Sequence, residues 1–491
     1  MVVLGRRLDD WLNPIAVREL RQAVQGKALA AMLIFFLAVE VVALGGALVK
    51  NDLLAPKTGV NLAPVGRQLF SFLYGILLFT SLLFVPLYTG IRMRLERSDT
   101  NLDLLFVTTL KPAAIIGGKL VSGLVLTLLL FTTCLPFMAF TYFLRGVDLP
   151  SVLIVLVFGF LAAATSIQLA ILAASVPGSR IFQVGTGIVG LGLIIFMLIY
   201  SIVGSVLMIE SGVGSLIGTG RFWGIAASVL GLDLLAIAAG FVLSTAAVMP
   251  LAANRALPIR VTFTAVWLLS GLAAALWARS VNEPEIVGVW MGFALAVLLL
   301  SFLGALSERE TLGPRVRRTI PRNPFGRMAA FLFYSGQAGG VTWSLALTGL
   351  TLAAGTVAAA IFGTTKSTKL AAELVPTLLA IAFYTIFYGG LAAFARRRFL
   401  ARRVGTGHTW ALALFLMMLG AIVPILVAIL VFRVHRTQPS LFPWQALNTF
   451  ATLDAAHRPV YLLVSAWLAA ATVVLALGWY RRGLSAFRRA D

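Results

Sequence analysis

Twelve stretches of this sequence are each apolar for about 20 residues, the length that a helix needs to cross a lipid bilayer. The hydrocarbon core offers no water to backbone N–H and C=O groups, so each stretch is expected to be an α-helix. The stretches lie near residues 28–49, 69–90, 120–144, 151–176, 181–208, 222–247, 261–278, 286–306, 341–362, 374–395, 409–432 and 460–480. The sequence therefore predicts an all-α fold, a polytopic membrane helical bundle with about 12 transmembrane helices.

The composition argues against a water-soluble enzyme and against a nucleic-acid-binding protein. Apolar residues fill 60% of the 491 positions and charged residues only 12%, whereas soluble domains average about 45–50% and about 25%. The net charge is +21, but with the N terminus in the cytoplasm, 28 of the 39 lysines and arginines lie in cytoplasmic loops. The positive-inside rule favours this orientation. We expect a multi-pass protein of the cytoplasmic (inner) membrane with both termini cytoplasmic.

Residues 13–27 predict an amphipathic helix that lies in the membrane surface and leads into the first span. Asn13 is a suitable N-cap, and Pro14 suits the first helical position. At 100° per residue, one side of this helix is apolar and consists of Ala16, Val17, Leu20, Ala23 and Val24. The arrangement is typical of an interfacial helix. A generic basic anchor before the membrane is the alternative.

The loop after the second span predicts a short cytosolic helix within residues 96–111. Thr100 followed by Asp103 resembles a capping box, and Pro112 ends the helix. Its exposed apolar face has no core of its own, so we expect it to dock into a groove of a partner, although it could instead lie on the lipid. The residues expected to bind the partner are Glu96, Asp99, Leu102, Asp103, Leu105 and Phe106.

Two sequence elements and their spacing resemble the ABC-2 type permeases, which are membrane subunits of type V-fold ABC exporters. The first element is Asn13-Pro14 with Arg18-Glu19-Leu20. The second, two spans later, is Leu102-Asp103-Leu104-Leu105, Thr108-Thr109-Leu110 and Gly118-Lys119-Leu120. In that family the first element is the elbow helix, and the second contains the coupling helix that contacts a nucleotide-binding ATPase subunit. This chain departs from the family in two ways: Thr100-Asn101 stands where Gly-Thr is frequent, and twelve spans replace the usual six.

The resemblance implies a permease that couples ATP hydrolysis by a separate subunit to substrate export. ATP and Mg would bind the partner ATPase, no cofactor is expected in this chain, and a second copy or a related permease would complete the transporter. The sequence has no phosphate-loop motif for ATP hydrolysis, and its single cysteine, Cys134, excludes a cysteine metal cluster. A non-enzymatic transport subunit is therefore expected.

The second half of the chain is open to two interpretations. We divide the sequence into a cytosolic N terminus (1–27), an ABC-2-like region of six spans (28–250) and a second region of six spans (251–491). Asn323-Pro324 precedes the ninth span much as Asn13-Pro14 precedes the first, which suggests a diverged repeat from about residue 320. The second half lacks an element like Leu-Asp-Leu-Leu, so an unrelated helical extension is the alternative.

Two acidic residues lie at membrane depth, where carboxylates are costly and usually face a cavity or a partner. Asp233 is central in the sixth span, with Gln168 as a possible partner. The pair is a candidate for the translocation path or for a structural hydrogen bond between helices. Glu40 lies on the outer half of the first span, where Gln168 or water could solvate it. Cys134 is expected to pack in a helix kinked at Pro136.

A twelve-span secondary active transporter is the alternative function. The short loop after the sixth span (249–260) and the loop between spans two and three, which lacks a Gly-rich Asp-Arg signature, argue against the major facilitator group. A membrane enzyme or a scaffold is disfavoured because the external loops carry no polar cluster.

Overall fold

A computed structural model describes the chain at residues 14–50, 63–98, 111–144, 146–176, 180–212, 217–250, 253–309, 312–362, 370–401, 404–430, 445–453 and 457–488. These residues form helices, turns and bends, and none of the described residues is in a β-strand. The chain divides into two compact units, unit 1 (Met1–Met249) and unit 2 (Pro250–Asp491).

Unit 1 begins with a short helix and continues with six membrane-length segments. Its helices are α1 (Pro14–Gln25), α2 (Lys27–Lys50), α3 (Ala63–Phe79), α4 (Val85–Ser98), α5 (Pro112–Phe143), α6 (Leu149–Ser175), α7 (Arg180–Ser211) and α8 (Gly220–Val248). A π-helical turn, Thr80–Phe84, joins α3 and α4 into one continuous segment. The Thr80 hydroxyl, at the first residue of this turn, donates to the Ile76 carbonyl of the preceding helix at 2.9 Å, so this buried polar side chain is satisfied within the segment.

The centre of unit 1 is α6, which packs against α4, α5, α7 and α8. Its middle residues are small, and Ala163 and Ser166 are fully buried. Small side chains let helix backbones approach closely in a membrane, where no hydrophobic effect drives helices together. Tyr74 of α3 is buried beside this helix and donates its hydroxyl to the Val155 carbonyl at 2.7 Å.

Unit 2 contains six further membrane-length segments and two short helices. Its helices are α9 (Ala256–Val281), α10 (Glu285–Ala305), α11 (Pro314–Arg318), α12 (Pro324–Phe333), α13 (Gln337–Phe362), α14 (Val375–Arg398), α15 (Thr409–Leu430) and α16 (Arg458–Ala486). A π-helical turn, Leu370–Leu374, precedes α14. The central helix is α14, which packs against α15 and α16, and its Tyr384 donates to the Ala446 carbonyl at 2.7 Å.

All twelve predicted spans are confirmed, because twelve helical segments of the described chain are long and apolar enough to cross a membrane. The protein is therefore a multi-pass membrane protein. The second segment, Ala63–Glu96, has 34 residues, and the third, Pro112–Phe143, has 32. At 1.5 Å per residue these helices are roughly 50 Å long, which exceeds the hydrocarbon thickness of about 30 Å. Both helices consequently extend beyond the hydrocarbon core.

Candidate functional site

The predicted amphipathic helix is present as α1 and packs against the first turns of α5. Ala16 and Ala23 are buried in this contact. The close approach depends on Gly118, because a Cβ atom there would lie 2.8 Å from Cβ of Ile15. Real Cβ atoms do not come so close to a neighbour, so α1 occupies space that only glycine leaves free.

A cluster of charged side chains joins α1 to the surface extensions of the second and third spans. Lys119 Nζ of α5 lies 3.0 Å from Glu19 Oε1 of α1 and 2.7 Å from Glu96 Oε2 of α4. Arg92 of α4 adds a contact from its Nε to Glu19 Oε2 at 3.6 Å and donates a hydrogen bond to Gln22 of α1. We call Glu19, Arg92, Glu96 and Lys119 the elbow cluster.

Within the elbow cluster, Lys119 and Glu19 are buried and tightly packed, whereas Arg92 and Glu96 are partly exposed. The Lys119 side chain is 2% exposed and that of Glu19 is 7% exposed. The remaining space among them is about 10 Å³, at the lower limit for one water molecule. The cluster therefore holds the three helices together and leaves no room for a ligand between Glu19 and Lys119, whereas Arg92 and Glu96 also line an open pocket of about 340 Å³.

The electrostatics of the elbow cluster keep Glu19 ionised. Burial raises the pKa of its carboxyl, but the charge of Lys119, the hydrogen bond from Lys119 and the charge of Arg92 outweigh burial, so the pKa lies below its ordinary value. Removing one partner of such a pair leaves an uncompensated buried charge, which costs about 3–5 kcal/mol.

Residues of the elbow cluster lie before and after the predicted coupling helix in the sequence, and most of that helix lies outside the described residues. Asp99, Leu102, Asp103, Leu105 and Phe106 all belong to residues 99–110, of which nothing is described. Glu96 is described: helix α4 continues through it to Ser98, and its carboxylate lies 2.7 Å from Lys119 Nζ within the chain. Its contact with a partner stays a prediction.

The face of α1 that packs on the protein contains an acidic residue. Glu19 is 6% exposed, whereas Val24 is 72% exposed, as the membrane-facing side of an interfacial helix can be. Glu19 shares a face with Ala16 and Ala23 at i−3 and i+4, so its position alone signals burial. Its partner Lys119 stands 100 positions away, and periodicity along one helix contains no information on such a contact.

Asp233 and Gln168 lie on the facing helices α8 and α6 but bind different partners. Asp233 Oδ1 accepts a hydrogen bond from Thr165 at 3.0 Å, and Gln168 Nε2 donates to Ser244 at 3.1 Å. The expectation that these two residues pair with each other was wrong. Position 240 is glycine, and a Cβ there would lie 2.8 Å from Cγ of Gln168. Both contacts join α6 to α8, which supports the structural interpretation, that of a hydrogen bond between helices.

Glu40 is completely buried, and the prediction that it is hydrated was wrong. Its Oε1 accepts a contact from Cys134 Sγ at 3.6 Å. The sequence showed only the depth of Glu40, whereas the packing of α2 on α5 places this side chain between helices. Cys134 is buried in α5 two residues before Pro136, as expected for a packing residue.

Unit 2 has a buried arginine that holds its own short helix. Arg260 of α9 is 3% exposed and donates to the carbonyl oxygens of Leu332 and Tyr334 at the C-terminal end of α12. The same guanidinium lies 2.6 Å from Glu308 Oε1. The last carbonyls of a helix have no partner within the helix, so Arg260 caps α12 and neutralises the negative end of its dipole.

Comparisons with protein-family models, with curated proteins and with solved structures find no match for this chain. Among the described residues, no group of His, Cys, Asp and Glu side chains could hold a metal ion. The function is therefore argued from the residues of the elbow cluster.

Proposed function

We propose that this chain is the membrane permease subunit of an ABC transporter, which couples ATP hydrolysis by a separate nucleotide-binding subunit to the export of a substrate. In this proposal the protein lies in the cytoplasmic (inner) membrane, and both of its termini are in the cytoplasm. The partner ATPase would bind ATP and Mg, and a second permease copy or a relative would complete the transporter.

The observation that supports this proposal is the meeting of two sequence elements in space. Glu19 belongs to the Arg18-Glu19-Leu20 element, and Gly118 and Lys119 belong to the element that follows the predicted coupling helix. Gly118 admits α1, and Lys119 binds Glu19 at 3.0 Å. Residues that the resemblance assigns to the elbow helix and to the end of the coupling region thus form one contact.

This contact gives the proposed coupling a physical route. Glu96 and Lys119 lie 2.7 Å apart, one on the helix that enters residues 99–110 and one on the helix that leaves them. A force applied to that loop acts on this ion pair, and its buried member, Lys119, is also bound to Glu19 of α1. Because Lys119 and Glu19 are tightly packed, the loop ends, α1 and the cytoplasmic ends of the two spans would move together.

Co-purification with an ATPase subunit tests the proposal. The tagged chain is purified from native membranes as wild type, as Leu105→Asp and as Leu54→Asp, a matched change in the predicted first external loop. Burying a leucine contributes about 1.5–3 kcal/mol, and a buried aspartate adds a desolvation cost. We expect Leu105→Asp to lower the affinity of the chain for the ATPase subunit roughly a hundredfold, whereas Leu54→Asp should bind the ATPase as the wild type does.

Equal amounts of chain in the membrane for all three proteins would show that insertion is unaffected. Equal recovery of the ATPase with all three would contradict the proposal, because the loop would then be only a surface anchor. Transport without any co-purifying ATPase, driven by an ion gradient, would favour the secondary transporter instead.

A further inference from the structure

One stretch of unit 2, residues 314–333, is basic and contains no acidic residue. It consists of the short helices α11 and α12 and the residues between them. Four of its arginines are exposed, namely Arg315, Arg318, Arg322 and Arg327. The ion pairs between described residues involve other side chains. We call residues 314–333 the basic segment.

Helix α12 turns different side chains to three surroundings. Phe325 is 82% exposed and Met328 is 66% exposed, whereas Ala330 is 5% exposed and packs on the protein. At about 100° per residue, Phe325 and Met328 lie roughly 60° apart on one side, and Ala330 lies at least roughly 140° from both. The exposed Arg327 lies on a third side, about 100° or more from the two apolar residues. An apolar strip with charge beside it is typical of a helix that lies in a membrane surface.

The C-terminal end of α12 is held beside the ends of three membrane-length helices. Arg260, in the second turn of α9, donates to the Leu332 carbonyl. Glu308, which binds the same arginine, stands three residues after the end of α10. The ring of Phe331 packs on that of Phe487, the residue after α16. Since spans end near the boundary between hydrocarbon and headgroups, α12 lies close to this boundary.

Helix α12 is too short to enter the bilayer as a span. Its 10 residues extend for about 15 Å, half of the hydrocarbon thickness of about 30 Å. It is also not a continuation of α13, because the backbone is extended at Tyr334 and reaches a φ of 150° at Gly336. It packs instead against the sides of α9 and α13. Its exposed Phe325 and Met328 are therefore next to the bilayer, and lipid is the material that covers them.

The arginines of the basic segment favour lipids with a negative charge. Guanidinium groups bind phosphate oxygens through paired N–H donors. Clusters of about four to eight basic residues beside a span or on an amphipathic helix are typical of sites that bind anionic lipids. A soluble polyanion would use the arginines but would leave Phe325 and Met328 uncovered.

We infer that the basic segment binds anionic phospholipids. Phe325 and Met328 contact the upper part of the acyl chains, and Arg315, Arg318, Arg322 and Arg327 contact the headgroup phosphates. This inference rests on unit 2 alone and is independent of the transport proposal.

Quenching of a fluorophore by spin-labelled lipids tests the inference on the purified full chain in lipid nanodiscs. A nitrobenzoxadiazole label is attached at Met328→Cys in a Cys134→Ser background, in which the introduced cysteine is the only one. The nanodiscs contain phosphatidylcholine and phosphatidylglycerol, and one of the two carries a nitroxide on the upper part of its acyl chain. We expect both lipids to quench the label, with a quenching constant at least about threefold larger for phosphatidylglycerol.

A second label position gives the quenching of a residue that lipid covers without basic neighbours. Leu268, in the middle of α9, is 61% exposed, so a label at Leu268→Cys should be quenched equally by the two lipids. Equal quenching at Met328→Cys as well would overturn the assignment of anionic lipid. Quenching by neither lipid at Met328→Cys would overturn the membrane contact, because water or another protein would then cover α12.

Charge variants separate the basic segment from general surface charge. The combined variant Arg315→Gln, Arg318→Gln and Arg322→Gln is expected to abolish the preference for phosphatidylglycerol at Met328→Cys. Arg279→Gln is the matched control and should retain the preference, because Arg279 is an exposed arginine in the last turn of α9, at the other end from Arg260. The ratio of the two quenching constants is compared, since it does not depend on the depth of the label. An unchanged ratio in the combined variant, or an equal loss in Arg279→Gln, would overturn the inference.

Discussion

Two short helices of this protein, α1 in unit 1 and α12 in unit 2, are each attached by buried charge, but the attached atoms differ. Glu19 attaches α1 through its side chain, which binds Lys119 and Arg92. Arg260 attaches α12 through the backbone carbonyls of its last turn. One attachment depends on the residue type in the short helix itself, whereas the other depends only on where that helix ends.

A glycine permits close approach in both attachments, but the atom that approaches it differs. A Cβ at Gly118 would contact the side chain of Ile15, whereas one at Gly339 would contact the backbone oxygen of Phe331. The comparison teaches that α1 is specified by its own sequence, so a single substitution in it can release it. Substitutions in α12 that keep the helix leave its carbonyl acceptors in place.

Matched reporters make this comparison measurable. Ala23 of α1 is 2% exposed and Ala330 of α12 is 5% exposed, so a cysteine at either position reacts with a maleimide only when its helix detaches. Cys134→Ser supplies the background, because serine can still donate a hydrogen bond to Glu40.

The largest effect is expected for Lys119→Met. This change removes the cation that binds both Glu19 and Glu96 and leaves buried Glu19 with only the longer contact to Arg92, at a cost of about 3 kcal/mol. Labelling at Ala23→Cys should rise at least about a hundredfold, and labelling at Ala330→Cys should stay constant. Lys27→Met is the control, since Lys27 is exposed. Unchanged labelling of α1 would show that the elbow cluster does not hold this helix.

A smaller effect, and the sharpest contrast, is expected from two carboxylate substitutions. Glu19→Gln removes the charge through which α1 is bound, which costs about 1.5–3 kcal/mol and raises labelling of α1 about tenfold or more. Glu308→Gln should raise labelling of α12 much less, because Arg260 retains the carbonyl acceptors of Leu332 and Tyr334. Similar increases in labelling at Ala23→Cys and Ala330→Cys would contradict the conclusion that α1 is attached through a side chain and α12 through its backbone.

Adjacent glycines give the next test. Gly118→Ala places a methyl group against Ile15, and such overpacking costs about 1–3 kcal/mol. Gly117→Ala is the matched control, because its nearest new contact, with the ring of Phe241, is 3.7 Å. Labelling at Ala23→Cys should increase several-fold in Gly118→Ala and stay constant in Gly117→Ala. Equal labelling in both variants would mean that the effect comes from the helix propensity of alanine and not from the contact between position 118 and Ile15.

The smallest effect is expected from acid. Since the pKa of Glu19 is lowered in the folded protein, its stabilising contribution is fully present above the unfolded value of about 4.3. The contribution is lost as the pH falls through the lower, folded pKa. Carbonyl contacts of Arg260 do not titrate, so α1 should loosen before α12 does. Hydrogen exchange normalised for intrinsic rates measures this order, and earlier loosening of α12 would contradict it.

The sequence predicted the parts of this protein that depend on local pattern. The apolar runs gave all twelve spans, and Asn13-Pro14 marked the start of α1 within one residue. The sequence did not predict which helix faces are buried, as Glu40 and Glu19 show. Depth in a membrane follows from position along one helix, whereas burial depends on the neighbouring helix, here α5 for both the elbow cluster and Glu40.

The separation of Glu19 and Lys119 along the chain also sets an order of events during synthesis. A ribosome adds about 5–20 residues per second, and 100 positions separate the two charges. Glu19 is therefore added to the chain roughly 5–20 s before Lys119. The full attachment of α1 cannot form until the start of the third span has been synthesised.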